Sequence, residues 1–122
     1  MPEVLRAIRG ATTVEEDAPE QIRARTQDLV KEMLERNHVS TDDIVSIIFT
    51  VTDDLVSAFP ATAARELGLH DIPLLGAREV AVVGSTPRCI RVMMHCYSDR
   101  ARKDIRHVFL EGAKSLRADL AE

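Results

Sequence analysis

An α+β fold, in which a mixed β-sheet carries helices packed on it, is what this 122-residue sequence predicts. Three observations lead there. One long segment places apolar residues at helical spacing, several shorter segments are rich in β-branched residues, and no linker or low-complexity stretch separates the two kinds. With 45% apolar residues the chain can bury one real core but not two, so residues 1–122 are expected to form a single domain.

The elements follow in order. "VLRAIRGA" at 4–11 reads as a strand with Leu5, Ala7 and Arg9 on one face, and Gly10 is expected to permit a tight departure. From Asp17, a candidate N-cap, with Pro19 in the first turn, the apolar positions Ile22, Leu29, Val30, Met33 and Leu34 define a helix to about Asn37. "IVSIIFTV" at 44–51 is almost continuously apolar, as a central strand covered on both faces would be. Phe59–Leu67 reads as a short helix opened by Pro60 and stopped by Gly68. "DIPLL" at 71–75 and "EVAVV" at 79–83 are expected to be short strands, and "CIRVMMHCY" at 89–97 a longer one. The tail after Asp104 fits strand or helix in its first half, and Gly112 argues against one long helix. The predicted order is βαβαβββ followed by a mixed tail.

Charge and composition exclude several functions. A formal charge of −4 gives no general attraction to nucleic acid or anionic lipid, and 3% aromatic residues are too few for a base-stacking surface. The opening "MPEVLRAIRG" lacks a signal-peptide layout and no apolar run is long enough to span a bilayer, so a cytoplasmic protein is expected. Cys89 and Cys96, seven apart on one strand, would point to opposite faces about 23 Å from each other, and read as reduced structural thiols.

No glycine-rich phosphate loop, HExxH, CxxC or GxSxG occurs, and His38, His70, His95 and His107 lack ligand spacing and read as surface or core residues. What stands out are arginines in apolar settings: Arg9, Arg65, Arg91 and Arg117. Arg91, between Ile90 and Val92, needs an anion from the fold or from a visitor, because an unpartnered buried charge costs several kcal/mol. Glu79 is the matching oddity at the start of an apolar run. Arg91 and Glu79 pairing across the sheet is one reading, and a small polyanion gripped by several converging guanidinium forks is the other. Arg23, Arg25 and Arg36 on the long helix read as solvated.

"IRGATTVEED" at 8–17, "FPATAARE" at 59–66, "CIRVMMH" at 89–95 and "IRHVFLEGAKSLRADL" at 105–120, in this order, closely resemble the AroH class of chorismate mutases. The resemblance covers nearly the whole chain. It implies an α+β protomer forming a pseudo-α/β-barrel homotrimer, with active sites in clefts between subunits, that converts chorismate to prephenate without metal or cofactor. Carried over position by position, it makes Arg91 the donor to the ether oxygen, Arg9 a second substrate-gripping arginine, and Glu79 the acceptor from the ring hydroxyl. It further makes Phe59 an aromatic wall from the neighbouring subunit, Arg65 a basic residue at the mouth, and Leu116 and Arg117 part of a tail, from about residue 112, that folds over substrate. Three positions depart from the pattern: Phe109 replaces a tyrosine and so lacks a hydroxyl contact, Gly76 replaces a cysteine and leaves backbone groups only, and Thr62 replaces a lysine. The alternatives are a non-catalytic trimeric module that binds a small carboxylate, and a trimeric enamine/imine deaminase. Neither accounts for "IRGATT" and "CIRVMM" together.

Overall fold

A computed structural model describes residues 3–116. Strand β1 (Val4–Thr13) leads through α1 (Pro19–Asn37) to β2 (Ile44–Val51), then α2 (Pro60–Glu66), β3 (Leu74–Arg78), β4 (Cys89–Ser98) and the two-residue β5 (Val108–Phe109). Single 3₁₀ turns occupy Thr41–Asp43, Arg102–Asp104 and Glu111–Ser115. The five strands form one mixed sheet in the order β3-β2-β4-β1-β5. β4 runs antiparallel to both β1 and β2, whereas β3 lies parallel to β2 and β5 parallel to β1.

The two faces of this sheet have different fates. Ile8, Ile47, Phe49, Val92, Met94 and Val108 point to one side and are buried together with Leu29, Val30 and Met33 of α1 and Ala61 and Ala64 of α2. On the opposite side the Glu111–Ser115 turn covers one end, where Ala11, Cys89, Phe109 and Ala113 form a small cluster with Leu116 against it. The rest of that face is open in the protomer: Leu5 is 53% exposed, Leu75 62% and Tyr97 47%.

Several sequence expectations change. β1 does not depart at Gly10 but continues to Thr13, because Gly10 is a packing glycine: a Cβ there would lie 2.5 Å from Met33 Sδ, so its absence lets α1 rest on the strand backbone. Asp17 does not cap α1, whose N-cap is Ala18; it accepts instead from the Val56 and Ser57 N–H groups and staples the loop after β2. A hydrogen bond with the Ser57 side chain, opposed by burial and helped by those two amides, holds the Asp17 carboxyl below its ordinary range. β2 is an interior strand, between β3 and β4, as expected, but it is not covered on both faces, since Ser46, Ile48 and Thr50 face the open side, half-buried.

The third strand starts at Leu74 rather than residue 71, and 79–83 is not a strand. Those valines lie in an irregular segment in which Val80 is 81%, Val82 61% and Val83 100% exposed. The left-handed Gly84, at φ +85°, turns the chain beyond them. The expected strand at 79–83 is therefore missing, and the order before the tail is βαβαββ, with β5 lying within the tail. The tail resolves into strand and turn, with no long helix among the described residues. Arg25 is not solvated: it donates to Thr13 O at 2.6 Å and to Glu15 Oε1 at 2.7 Å, tying α1 to the end of β1. No helix among the described residues is long and apolar enough to cross a membrane.

The end of α1 is fastened by Asn37, which is 2% exposed. Its Nδ2 donates to Met33 O and Arg106 O, each at 2.8 Å, and its Oδ1 accepts from Arg106 N–H at 2.7 Å. Replacing Asn37 by alanine removes its three hydrogen bonds to Met33 and Arg106, and a loss of about 2–4 kcal/mol is expected, read as a lower urea midpoint with unchanged slope. Cys89 and Cys96 are both free and buried, on opposite faces. Burial pushes both thiols above their ordinary range, in Cys89 against the opposing pull of the Arg91 guanidinium. Neither should react with an aromatic disulfide reagent in folded protein at pH 8, and both should react in denaturant; rapid labelling of folded protein would contradict this packing.

Candidate active site

The register of the sheet assembles the site. β4 carries Arg91 between Ala11 of β1 and Thr50 of β2, and Arg9 of β1 pairs with the adjacent Met93, so both arginines and Thr50 project from the open face. Glu79 reaches them because its N–H donates to Val51 O at 2.9 Å, extending the β3–β2 pairing one residue past the strand end. Its carboxylate then accepts from Thr50 Oγ1 at 2.5 Å and lies 3.7 Å from Arg91 Nε.

That last distance is an ionic contact too long for a hydrogen bond. Arg91 Nε is buried and has no hydrogen-bond partner among the described residues. The side chains of Arg91 and Glu79 are 31% and 26% exposed, so the guanidinium is shielded rather than engulfed, and the cross-sheet pairing considered from sequence is real. Arg9, Thr50, Glu79 and Arg91 line one cavity of about 290 Å³, with Ile48 and Met93 as its apolar wall. Two cations and one carboxylate around such a space suit an anionic ligand that also offers a hydroxyl.

The other residues singled out from sequence lie elsewhere. Phe59, 78% exposed, and Gly76 line a separate cavity of about 440 Å³ between the start of α2 and β3. Arg65 is exposed on α2. Phe109 is 6% exposed and packs in the cluster over Ala11 and Cys89 with Leu116 against it, next to the β1–β4 pair that carries Arg91. Arg117 lies outside the described residues. One protomer thus brings Arg9, Glu79 and Arg91 together and keeps Phe59, Gly76 and Arg65 apart from them.

Sequence reasoning missed Thr50, which holds the Glu79 carboxylate. Only the β2–β4 register, unknown until the strands are paired, places its hydroxyl beside Arg91. Among the described residues no group of three or more His, Cys, Asp or Glu is placed to hold a metal ion.

Comparison with known proteins agrees along nearly the whole chain. The family model for chorismate mutase type I matches residues 5–120. A chorismate mutase AroH of Thermus thermophilus is 52% identical over 118 residues, covering 96% of this chain and 97% of the relative. That of Bacillus subtilis (strain 168) is 43% identical over 119 residues, covering 97% and 94%. The solved chorismate mutase from Clostridium thermocellum superposes with a TM-score of 0.89 at 55% identity, over 90% of this chain and 98% of that one. A match of this extent, on a sheet whose open face carries the arginine–glutamate cluster, decides the family: the chain belongs to the type I chorismate mutases.

Proposed function

We propose that this chorismate mutase rearranges chorismate to prephenate, a step towards phenylalanine and tyrosine, in the cavity on the open face of the sheet, with Arg91 as the principal transition-state donor. The observation that carries this reading is the convergence of Arg9, Glu79 and Arg91 on one space, with Arg91 Nε buried and unclaimed by an acceptor among the described residues.

The reaction breaks the bond between the ether oxygen and the ring while a carbon–carbon bond forms, all within one molecule. It needs no nucleophile or proton relay, and the protein's task is to hold the compact conformer and to stabilise charge building on the ether oxygen. A cation aimed at that oxygen gains most in the transition state, which is what raises turnover. Arg9 grips a substrate carboxylate, and Glu79, steadied by Thr50, accepts from the ring hydroxyl while keeping the Arg91 fork in place. Phe109 offers an apolar edge in place of a phenol, Gly76 offers main-chain groups, Thr62 leaves the entrance without a lysine, and Leu116 and Arg117 complete the set of substrate-binding residues.

The assembly that suits this site is a homotrimer built from single-domain chains. On the same face of the sheet Leu75, opposite Ile48, and Leu5 and Tyr97, at the far end of the β1–β4 ladder, leave exposed apolar surface that a second copy would cover. The separate Phe59–Gly76 cavity then becomes the opposing wall of a neighbour's site, with Arg65 at its rim. The two free cysteines fit a reducing compartment, and we place the enzyme in the cytoplasm.

Loss of chorismate absorbance, with prephenate identified by acid conversion to phenylpyruvate, tests the activity. Arg91→Ala should lower kcat by about 10²–10³, the size of one lost transition-state donor, with the fold intact by circular dichroism. Turnover at the wild-type rate would remove Arg91 from its role. Arg117→Ala should mainly raise KM. For the assembly, Arg91→Ala and Phe59→Ala chains, each impaired alone, should regain activity when refolded together, because mixed trimers contain some sites with both residues. No gain on mixing would place Phe59 outside the shared cleft.

A further inference from the structure

β5 pairs with β1 at only two positions, Gly10 with Val108 and Ala11 with Phe109. One residue before that ladder, the Arg9 N–H donates to a side chain: His107 Nδ1 accepts it at 2.9 Å. A main-chain N–H can only donate, so Nδ1 must present its lone pair, and the ring proton of the neutral imidazole sits on Nε2. His107 thus extends the short ladder by one rung, at the residue whose side chain enters the substrate cavity.

The imidazole is itself held from behind. Asn37 at the end of α1 bonds both the N–H and the carbonyl of the preceding Arg106, which sets the path of the chain into His107. On the other side of Arg9 from the substrate cavity lies a second cavity of about 440 Å³ that His107 shares with Arg6 and Arg9 of β1, His95 of β4 and Arg102 of the turn after β4. No carboxylate is among the described residues that line it.

We propose that His107 is a positioning residue for the rearrangement: its Nδ1 lone pair fixes the main chain at Arg9 and so aims the Arg9 guanidinium at the substrate, and protonation of the ring releases it. Imidazolium carries N–H on both nitrogens, so in acid a donor would face the Arg9 donor and the rung is lost. The inference rests on the reading that Arg9 grips substrate. Binding should suffer more than chemistry, since the donor at the ether oxygen is Arg91.

The test is the pH dependence of kcat and KM between pH 5 and 8 for the wild type, His107→Asn, His107→Leu, Arg9→Ala and the Arg9→Ala/His107→Leu double variant. Substrate carboxylates are ionised throughout most of this range, and a free imidazole titrates near 6.5. In the wild type KM should rise towards acid with a smaller change in kcat. His107→Asn, whose Oδ1 keeps an acceptor and does not titrate, should hold KM near the pH 8 wild-type value and flatten the acid rise. His107→Leu should hold KM at every pH about tenfold above the pH 8 wild-type value, the size of one hydrogen bond, and should add nothing when Arg9 is already alanine. An acid rise in KM that persists in His107→Asn belongs to another group and overturns the proposal. So does a wild-type KM in His107→Leu when Arg9→Ala is impaired. A wild-type KM in Arg9→Ala removes Arg9 itself from substrate binding and takes the proposal with it.

Discussion

The structure turns on an ionic contact that stops short of a hydrogen bond. Glu79 sits 3.7 Å from Arg91 Nε, near enough to neutralise the cation in a shielded place and too far to occupy its donor. A closer pair would satisfy both groups and leave a structural salt bridge. The spacing is maintained at that same oxygen, Oε2, which accepts from Thr50 Oγ1, and from the main chain, where Glu79 N–H is bonded to Val51 O. The cation is therefore countered without its Nε donor being used, an arrangement that suits the proposed role at a developing charge.

Everything else in the fold makes that geometry available. Strand alternation sends Val92, Met94 and Cys96 into the helix-covered core while Arg91, Met93 and His95 emerge on the opposite face, so the element that anchors the protein also displays its chemistry. Among the described residues the two α-helices lie on one side only, which leaves the site on the open face. Arg91, on the middle strand, is flanked by paired backbone on both sides, which limits how far it can drift.

How much of this the sequence disclosed depended on whether local pattern or long-range pairing decided the outcome. α1, β2 and β4 were legible because apolar spacing is a local property, and the four arginine-bearing and proline-bearing segments were specific enough to resemble one family. The valines at 79–83 misled because β-branched residues mark apolar surface as readily as strands, and here that surface is exposed in the protomer. Asp17 looked like a cap because it stands where caps stand, yet its carboxylate serves a loop nearly forty residues further along. Arg25 looked solvated because helix periodicity cannot reveal that Thr13 O lies within its reach. The site divided the same way: Arg9, Glu79 and Arg91 could be singled out as chemically odd, whereas Thr50 and His107 are ordinary residues made relevant by register.

Gly10 adds a mechanical consequence. With no side chain between them, Met33 of α1 bears directly on the backbone of β1 one residue from Arg9. The same stretch of strand is tied laterally to β4 and, through His107, to the segment that Asn37 fastens to the far end of that helix. Arg9 therefore sits on a truss braced both in the plane of the sheet and perpendicular to it. Little vibrational freedom remains there to be surrendered when a ligand docks, so stiffness supplied during folding becomes tighter association later.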